Sequence, residues 1–295
     1  MTVFNLGSIN ADHFYRLPHL PVPGETLAAL DYALGLGGKG ANQSVALARA
    51  GADVRHIGAI GADGRWMADR MAASGVDCRH VTELPGASGH AIIEVDTAGE
   101  NLILVYPGAN RALGAAHVLS ALQSARAGDW LVMQNETSAQ VEAAQAATVA
   151  GLRVAYSAAP FDPAAVRAII DHVSLLIVNE IEAAQLCADF GVALHDLPVA
   201  QLVVTLGARG AIWYDLAAVT QVSAPPFRVT PVDTTGAGDT FAGYLIAGLA
   251  QGLAPDAAMR LASAAAALKV TRAGTADAIP TRAEVEAFLD AQPRL

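Results

Sequence analysis

Hydrophobic residues fall along the chain in short runs separated by alanine-rich stretches. The runs at 3–7, 54–60, 130–134, 153–157, 175–178, 202–206 and 211–214 have the length of strands, and each ends at a turn or helix signal. Strands that alternate with helical stretches predict a mainly parallel sheet flanked by helices, because each parallel connection needs a crossover long enough to hold a helix. Two segments break the rhythm. Residues 14–35 carry Pro18, Pro21 and Pro23, and residues 90–106 alternate around Ile92-Ile93-Glu94-Val95 and Leu102-Ile103-Leu104-Val105. They are expected to form antiparallel strands outside the main sheet, as a flap over a cleft or as an ordinary hairpin elaboration. The chain shows no repeat and no low-complexity linker, so residues 1–295 are expected to form one α/β domain with a small β-sheet lid at 10–37 and 88–107.

Composition narrows the function classes. With 53% hydrophobic and 16% charged residues the chain can bury a large core. A net charge of -10 and the lack of any basic run argue against nucleic-acid binding, which draws on clustered Lys and Arg. A nucleotide stays possible, since backbone N–H groups at a helix start can hold phosphate. Cys78 and Cys187 stand far apart without metal-ligand spacing, and the apolar runs near 241–250 and 261–268 are too short to span a bilayer. The opening residues look like a strand rather than a leader, and a cytoplasmic setting without membrane contact is expected.

The strongest chemical signal is Asp233-Thr234-Thr235-Gly236-Ala237-Gly238-Asp239, which leads into an apolar helical stretch. Small residues at 236–238 leave amides uncovered at a helix start, where free donors and the helix dipole stabilise an anion. Asp239 in the first turn is then placed to accept a proton from an attacking hydroxyl; a capping carboxylate on a plain glycine turn is the alternative. A second signal is Gly37-Gly38-Lys39-Gly40-Ala41-Asn42-Gln43-Ser44. It is not a Walker A loop, because no Ser or Thr follows the lysine directly. Glycines let backbone approach a ligand, and Lys39 and Asn42 supply donors for hydroxyls, although a glycine turn that caps a helix fits equally well.

Together these two segments resemble both signatures of the ribokinase-like (PfkB) carbohydrate kinases, in the expected order and over nearly the whole chain, and the sugar segments are most similar to the ribose-phosphorylating branch. The resemblance implies a three-layer fold and transfer of the ATP γ-phosphate to the primary hydroxyl of ribose. Asp239 would be the base, and the amides of Gly236, Ala237 and Gly238 would form the anion pocket. Asn10, Asp12, Gly38, Lys39, Asn42 and Glu136 would hold the sugar. Asn179, Thr205, Gly207, Ala208, Arg209, Gly210, Gly238 and Ser263 would line the nucleotide site, with Ser263 where the family commonly presents a larger side chain to adenine. Glu182 would order the water shell of Mg²⁺. A monovalent cation such as potassium would sit among Asp233, Thr235 and carbonyls near Lys269, Arg272, Gly274 and Ala278. The resemblance also suggests a homodimer formed through the lids. The stretch 187–202 is short for the family and is expected to hold a clipped helix. Fructose, deoxyribose, a sugar acid or a nucleoside are alternative acceptors. A non-catalytic sensor would be favoured by loss of Asp239 or of the glycine pocket, and both are present.

Overall fold

The structure, a computed structural model, describes residues 1–292. In chain order the strands are β1 (Thr2–Leu6), β2 (Asn10–Arg16), β3 (Asp31–Gly37), β4 (Asp53–Ile60), β5 (Asp77–Glu83), β6 (Gly89–Val95), β7 (Asn101–Tyr106), β8 (Trp130–Gln134), β9 (Arg153–Ser157), β10 (Leu175–Asn179), β11 (Gln201–Thr205), β12 (Ala211–Asp215) and β13 (Thr220–Ala224). The helices are α1 (Lys39–Arg49), α2 (Arg65–Ala73), α3 (Ala115–Leu122), α4 (Gln140–Val149), α5 (Pro163–Ile169), α6 (Glu180–Phe190), α7 (Ala237–Ala250), α8 (Pro255–Val270) and α9 (Arg282–Asp290). No helix among the described residues is long and apolar enough to cross a membrane.

The large sheet has the order β13-β12-β11-β10-β9-β8-β1-β4-β5. It is parallel from β5 to β11 and closes with two antiparallel strands, β12 and β13. Along its central strands alternate residues enter two separate cores. Val3, Val132, Ala155 and Leu175 pack with α1, α2, α7 and α8, while Phe4, Leu131, Val154 and Leu176 pack with α3 to α6. Both faces are dry, which is why these strands show in the sequence as unbroken hydrophobic runs. The three-layer α/β expectation holds, and the seven expected central strands appear with ends shifted by at most one residue. Strands β5 and β13 were not expected. Both lie at sheet edges, half in solvent, with polar sequences that leave little hydrophobic pattern.

The second sheet has the order β3-β2-β6-β7. Its outer pairs are antiparallel, but its central pair, β2 with β6, is parallel, which corrects the expectation of antiparallel pairing throughout. The two strands are joined through β3, α1, β4, α2 and β5, a connection long enough for parallel pairing. Helix α6 ends at Phe190 with Gly191 in the left-handed region, and one 3₁₀ turn, Leu194–Asp196, leads into the next strand.

Two close approaches set where the chemistry can sit. A Cβ on Gly40 would lie 2.3 Å from the Gly7 backbone, so α1 starts directly against the end of β1. A Cβ on Gly243 would lie 2.4 Å from the Ala46 Cβ, so α7 crosses α1 at contact distance. Together they bring the first turns of α1 and α7 side by side. Gly40→Ala is expected to destabilise the fold by about 1–3 kcal/mol through overpacking, measured by urea unfolding. Gly114→Ala, where the new methyl meets nothing within 4 Å, should change stability little.

Candidate active site

Helix α7 begins after Gly236, whose φ of 72° suits glycine. The Ala237 amide donates to the Thr234 carbonyl at 3.2 Å. Of the three amides expected to face a phosphate, those of Gly236 and Gly238 therefore stay without an intramolecular partner among the described residues, while that of Ala237 closes the turn. Asp239 follows in the first turn and is 8% exposed. Its Oδ2 accepts from Asn42 Nδ2 at 3.0 Å and its Oδ1 from Gln43 Nε2 at 3.1 Å. The carboxylate is thus fixed by two neighbouring side chains in the first turn of α1.

The Gln43 amide is itself oriented by a buried polar chain. Burial lowers the His56 imidazole to about 4, so it is neutral, and its Nε2 stands 3.0 Å from the Gly7 carbonyl, to which it must donate. His56 Nδ1 then accepts from Ser44 Oγ, Ser44 Oγ accepts from Asn5 Nδ2, and Asn5 Oδ1 accepts from Gln134 Nε2. Gln134 Nε2 also donates to Gln43 Oε1 at 2.8 Å, which leaves Gln43 only its amino group to offer Asp239. Gln43, Gln134, Asn5, Ser44 and His56 had no role in the sequence-based expectation. The available signal was an amide inside an otherwise apolar strand, as at Asn5 and Gln134, which marks a hydrogen-bond network.

A cleft of buried polar groups adjoins Asp239. The Glu136 carboxylate accepts from Ser8 Oγ and from the Lys39 backbone N–H, and Ser8 Oγ also accepts from the Gly40 N–H. Asn10 Oδ1 accepts from Asn110 Nδ2 at 2.8 Å, and Asn110 Oδ1 in turn accepts from the Ile9 N–H. Gly38, with φ 87°, lies against the Ser8 and Asn10 backbone, and a Cβ on Gly37 would fall 1.9 Å from the Asp12 carboxylate. Lys39 is raised from its ordinary value, first by Asp239 and further by Glu136 and Glu182. Asn42 Oδ1 is buried with no partner. All six expected sugar residues thus gather here, and Ser8 and Asn110 join them.

On the other side of the α7 start lies a cavity of about 640 Å³ lined by Thr205, Gly207, Ala208, Gly210, Phe227, Arg228, Ala237, Gly238 and Ser263, among others. Its volume suits a nucleotide. Ser263 Oγ is buried and unpartnered. Arg209 and Asn179 do not line this cavity. Arg209 pairs with Glu180, and Asn179 forms a capping box with Glu182, each accepting from the backbone N–H of the other. Among the described residues no three His, Cys, Asp or Glu side chains cluster to hold a metal.

An ammonium already stands among the residues expected around a monovalent cation, and some of their oxygens are engaged. Both Asp233 oxygens already accept, Oδ1 from the Thr235 N–H and Oδ2 from the Gly274 N–H, each at 2.9 Å. The buried Lys269 ammonium donates to the Asp233 carbonyl at 3.1 Å. The Lys269 carbonyl accepts from the Arg272 N–H.

The profile of the pfkB family carbohydrate kinases matches residues 2–282. The chain belongs to the pfkB family of carbohydrate kinases. It is 36% identical to the ribokinase of Haemophilus influenzae, with 98% of each chain covered. Among solved structures, the ribokinase of Thermotoga maritima superposes with a TM-score of 0.87 at 31% identity, covering 98% of this chain and 99% of that one. The ribokinase of Arabidopsis thaliana, complexed with ribose and ATP, superposes at 0.85 with 26% identity over 99% of each chain. As a pfkB kinase the chain is an ATP-dependent phosphotransferase that acts on a carbohydrate hydroxyl.

In the pfkB kinase cleft, burial above all, then Glu136 and Asp239, raises the Asp12 carboxyl from 3.8 to about 7. A raised acid favours the fold while protonated. Its contribution is full below pH ~4 and is lost as pH climbs through 7, because the folded state then gives up a proton it holds better than the unfolded chain. Urea unfolding between pH 5 and 8 should show stability declining more steeply in the wild type than in Asp12→Asn. Equal slopes would take Asp12 out of the pH dependence.

Proposed function

We propose that the protein phosphorylates the primary hydroxyl of ribose with ATP, yielding ribose 5-phosphate and ADP. One observation carries this reading: the start of α7 divides two spaces, with Ala237 and Gly238 on the wall of the nucleotide-sized cavity and Asp239 bonded to Asn42 and Gln43 on the side of the polar cleft. A γ-phosphate reaching the free amides of Gly236 and Gly238 meets an acceptor hydroxyl lying beside Asp239. A cleft lined by Asn10, Asp12, Lys39, Asn42 and Glu136 offers acceptors and donors in numbers that suit a small polyol, and the orphaned Asn42 Oδ1 is an acceptor for one of its hydroxyls. The names of the relatives support ribose as that polyol.

In the proposed reaction Asp239 takes the proton of the primary hydroxyl as its oxygen attacks phosphorus, and the bond to the bridging oxygen of ADP breaks. The Gly236 and Gly238 amides, with the positive end of the α7 dipole, stabilise charge on the transferring group. Lys39 offsets the negative charge of Asp239, Glu136 and Glu182. Mg²⁺, arriving with ATP, would neutralise the phosphates, and Glu182 would hold its water. Thr205, Gly207, Ala208, Gly210 and Ser263 would receive the nucleotide. A cytoplasmic setting, where ATP is at hand, goes with this reading.

A homodimer through the small sheets is part of the same proposal. Strand β7 exposes Leu102, Ile103, Leu104, Val105 and Tyr106, and β3 exposes Tyr32 and Leu34, an apolar surface that a second copy would cover. Sedimentation should give twice the mass of a single chain, and Leu104→Asp should shift the population to monomers.

An ADP-release assay across a sugar panel tests the acceptor, with ribose expected to give the highest kcat/KM. Asp239→Asn should lower kcat by about two to four orders of magnitude while ribose still binds, the usual cost of a lost general base. Near-normal turnover in that variant would reject the assignment.

A further inference from the structure

Lys269 lies in the last turn of α8, and its side chain is wholly buried. A buried ammonium needs oxygen partners, and Nζ has them on one side: the Asp233 carbonyl at 3.1 Å and Asp233 Oδ2 at 3.9 Å. The loop it holds is the one that makes the anion pocket. Asp233 stands three residues before Gly236, its two carboxylate oxygens tie Thr235 to Gly274, and Val270 accepts from both the Val232 and the Asp233 N–H. The lysine thus joins the end of α8 to the approach of α7 at the place where the family resemblance puts a potassium ion.

We propose that the Lys269 ammonium is a tethered monovalent cation that replaces potassium beside the anion pocket, so that the kinase needs no added ion. An ammonium and a potassium ion carry the same charge and bind the same carbonyl and carboxylate oxygens. The ammonium differs in being covalently held, so it is present in every molecule at any salt concentration. A potassium ion entering the same loop would meet a positive charge already bonded to the Asp233 carbonyl, with each Asp233 carboxylate oxygen accepting from an amide. Lys269 is a positioning residue, which acts on the reaction through the 233–236 loop and through its field at the helix start. A plain stabilising role at a helix C-terminus, where cations are common, is the competing account.

The inference rests on the kinase reading and is tested in a way that separates the two. Wild-type protein in choline buffer is titrated with potassium chloride, with sodium chloride as control, while melting temperature and sugar-dependent ADP release are both followed. The expected result is a flat melting temperature and less than about a twofold change in kcat, since no vacant site exists to be filled by mass action. Lys269→Ala should lose roughly tenfold or more in kcat with little change in KM, the scale of one lost charge-assisted contact. Potassium or ammonium chloride should restore most of that loss and raise the melting temperature of the variant. In Lys269→Met, where the side-chain volume stays filled, the same salts should restore nothing.

Activation of the wild type several-fold by potassium, or a potassium-specific rise in its melting temperature, would overturn the proposal, even if neither variant folds. A folded Lys269→Ala protein whose lost activity no cation restores would overturn it in favour of the stabilising role. Wild-type protein that turns over no sugar at any salt would count against the kinase reading, and the melting curves would still decide the question of the cation.

Discussion

The site depends on one contact: a carboxylate in the first turn of one helix, gripped by two amide side chains in the first turn of another. The grip requires α1 and α7 to start at nearly the same place, and side-chain amides reach only a few ångströms. The small residues where the helices cross, Gly243 against Ala46, and the bare backbone contact of Gly40 with Gly7 provide that closeness. Extra bulk at either contact would push Asn42 and Gln43 away from Asp239 before it disturbed the sheet. The packing of one half of the core and the geometry of the base are therefore a single constraint.

The charges around this contact are balanced on a small scale. Asp12, Glu136 and Asp239 converge on one cleft, and Lys39 answers Asp239 and Glu136 while also facing Glu182. Burial, with the repulsion of Glu136 and Asp239 added to it, holds the Asp12 carboxyl well above the usual carboxylate range. A ligand with several hydroxyls would relieve that repulsion by donating to the carboxyl groups, and a cleft of this kind therefore favours a polyol over an apolar or anionic ligand.

Much of the fold was legible because the central strands are buried on both faces, which writes them into the chain as continuous hydrophobic runs. The edge strands β5 and β13 and the parallel pairing of β2 with β6 were not, since half-solvated strands carry mixed sequences and the partner of a strand is set by tertiary topology. At the site, Asp239, Lys39 and Asn42 stood out because glycines cluster around them. The chain from His56 to Gln43 stayed hidden, since its members lie on β1, α1, β4 and β8 and only the sheet order brings them together. The Lys269 ammonium beside Asp233 stayed hidden for a related reason. A backbone carbonyl has no signature in sequence, and whether the lysine side chain at 269 points to solvent or back into the loop is decided by packing in the last turn of α8.

The choice of amides to hold Asp239 follows from what a base must do. A guanidinium in place of Asn42 and Gln43 would orient a carboxylate at least as firmly, through two parallel charge-assisted bonds, but its positive charge would oppose the arrival of a proton. Neutral amides fix direction without that opposition, at the cost of needing their own orientation enforced, because an amide flipped end for end would present oxygen to oxygen. The chain through Gln134, Asn5, Ser44 and the neutral His56 supplies that enforcement, ending on a Gly7 carbonyl that can only accept. The buried polar groups of the central sheet thus act on the reaction at a distance, by allowing Gln43 a single way to face the carboxylate.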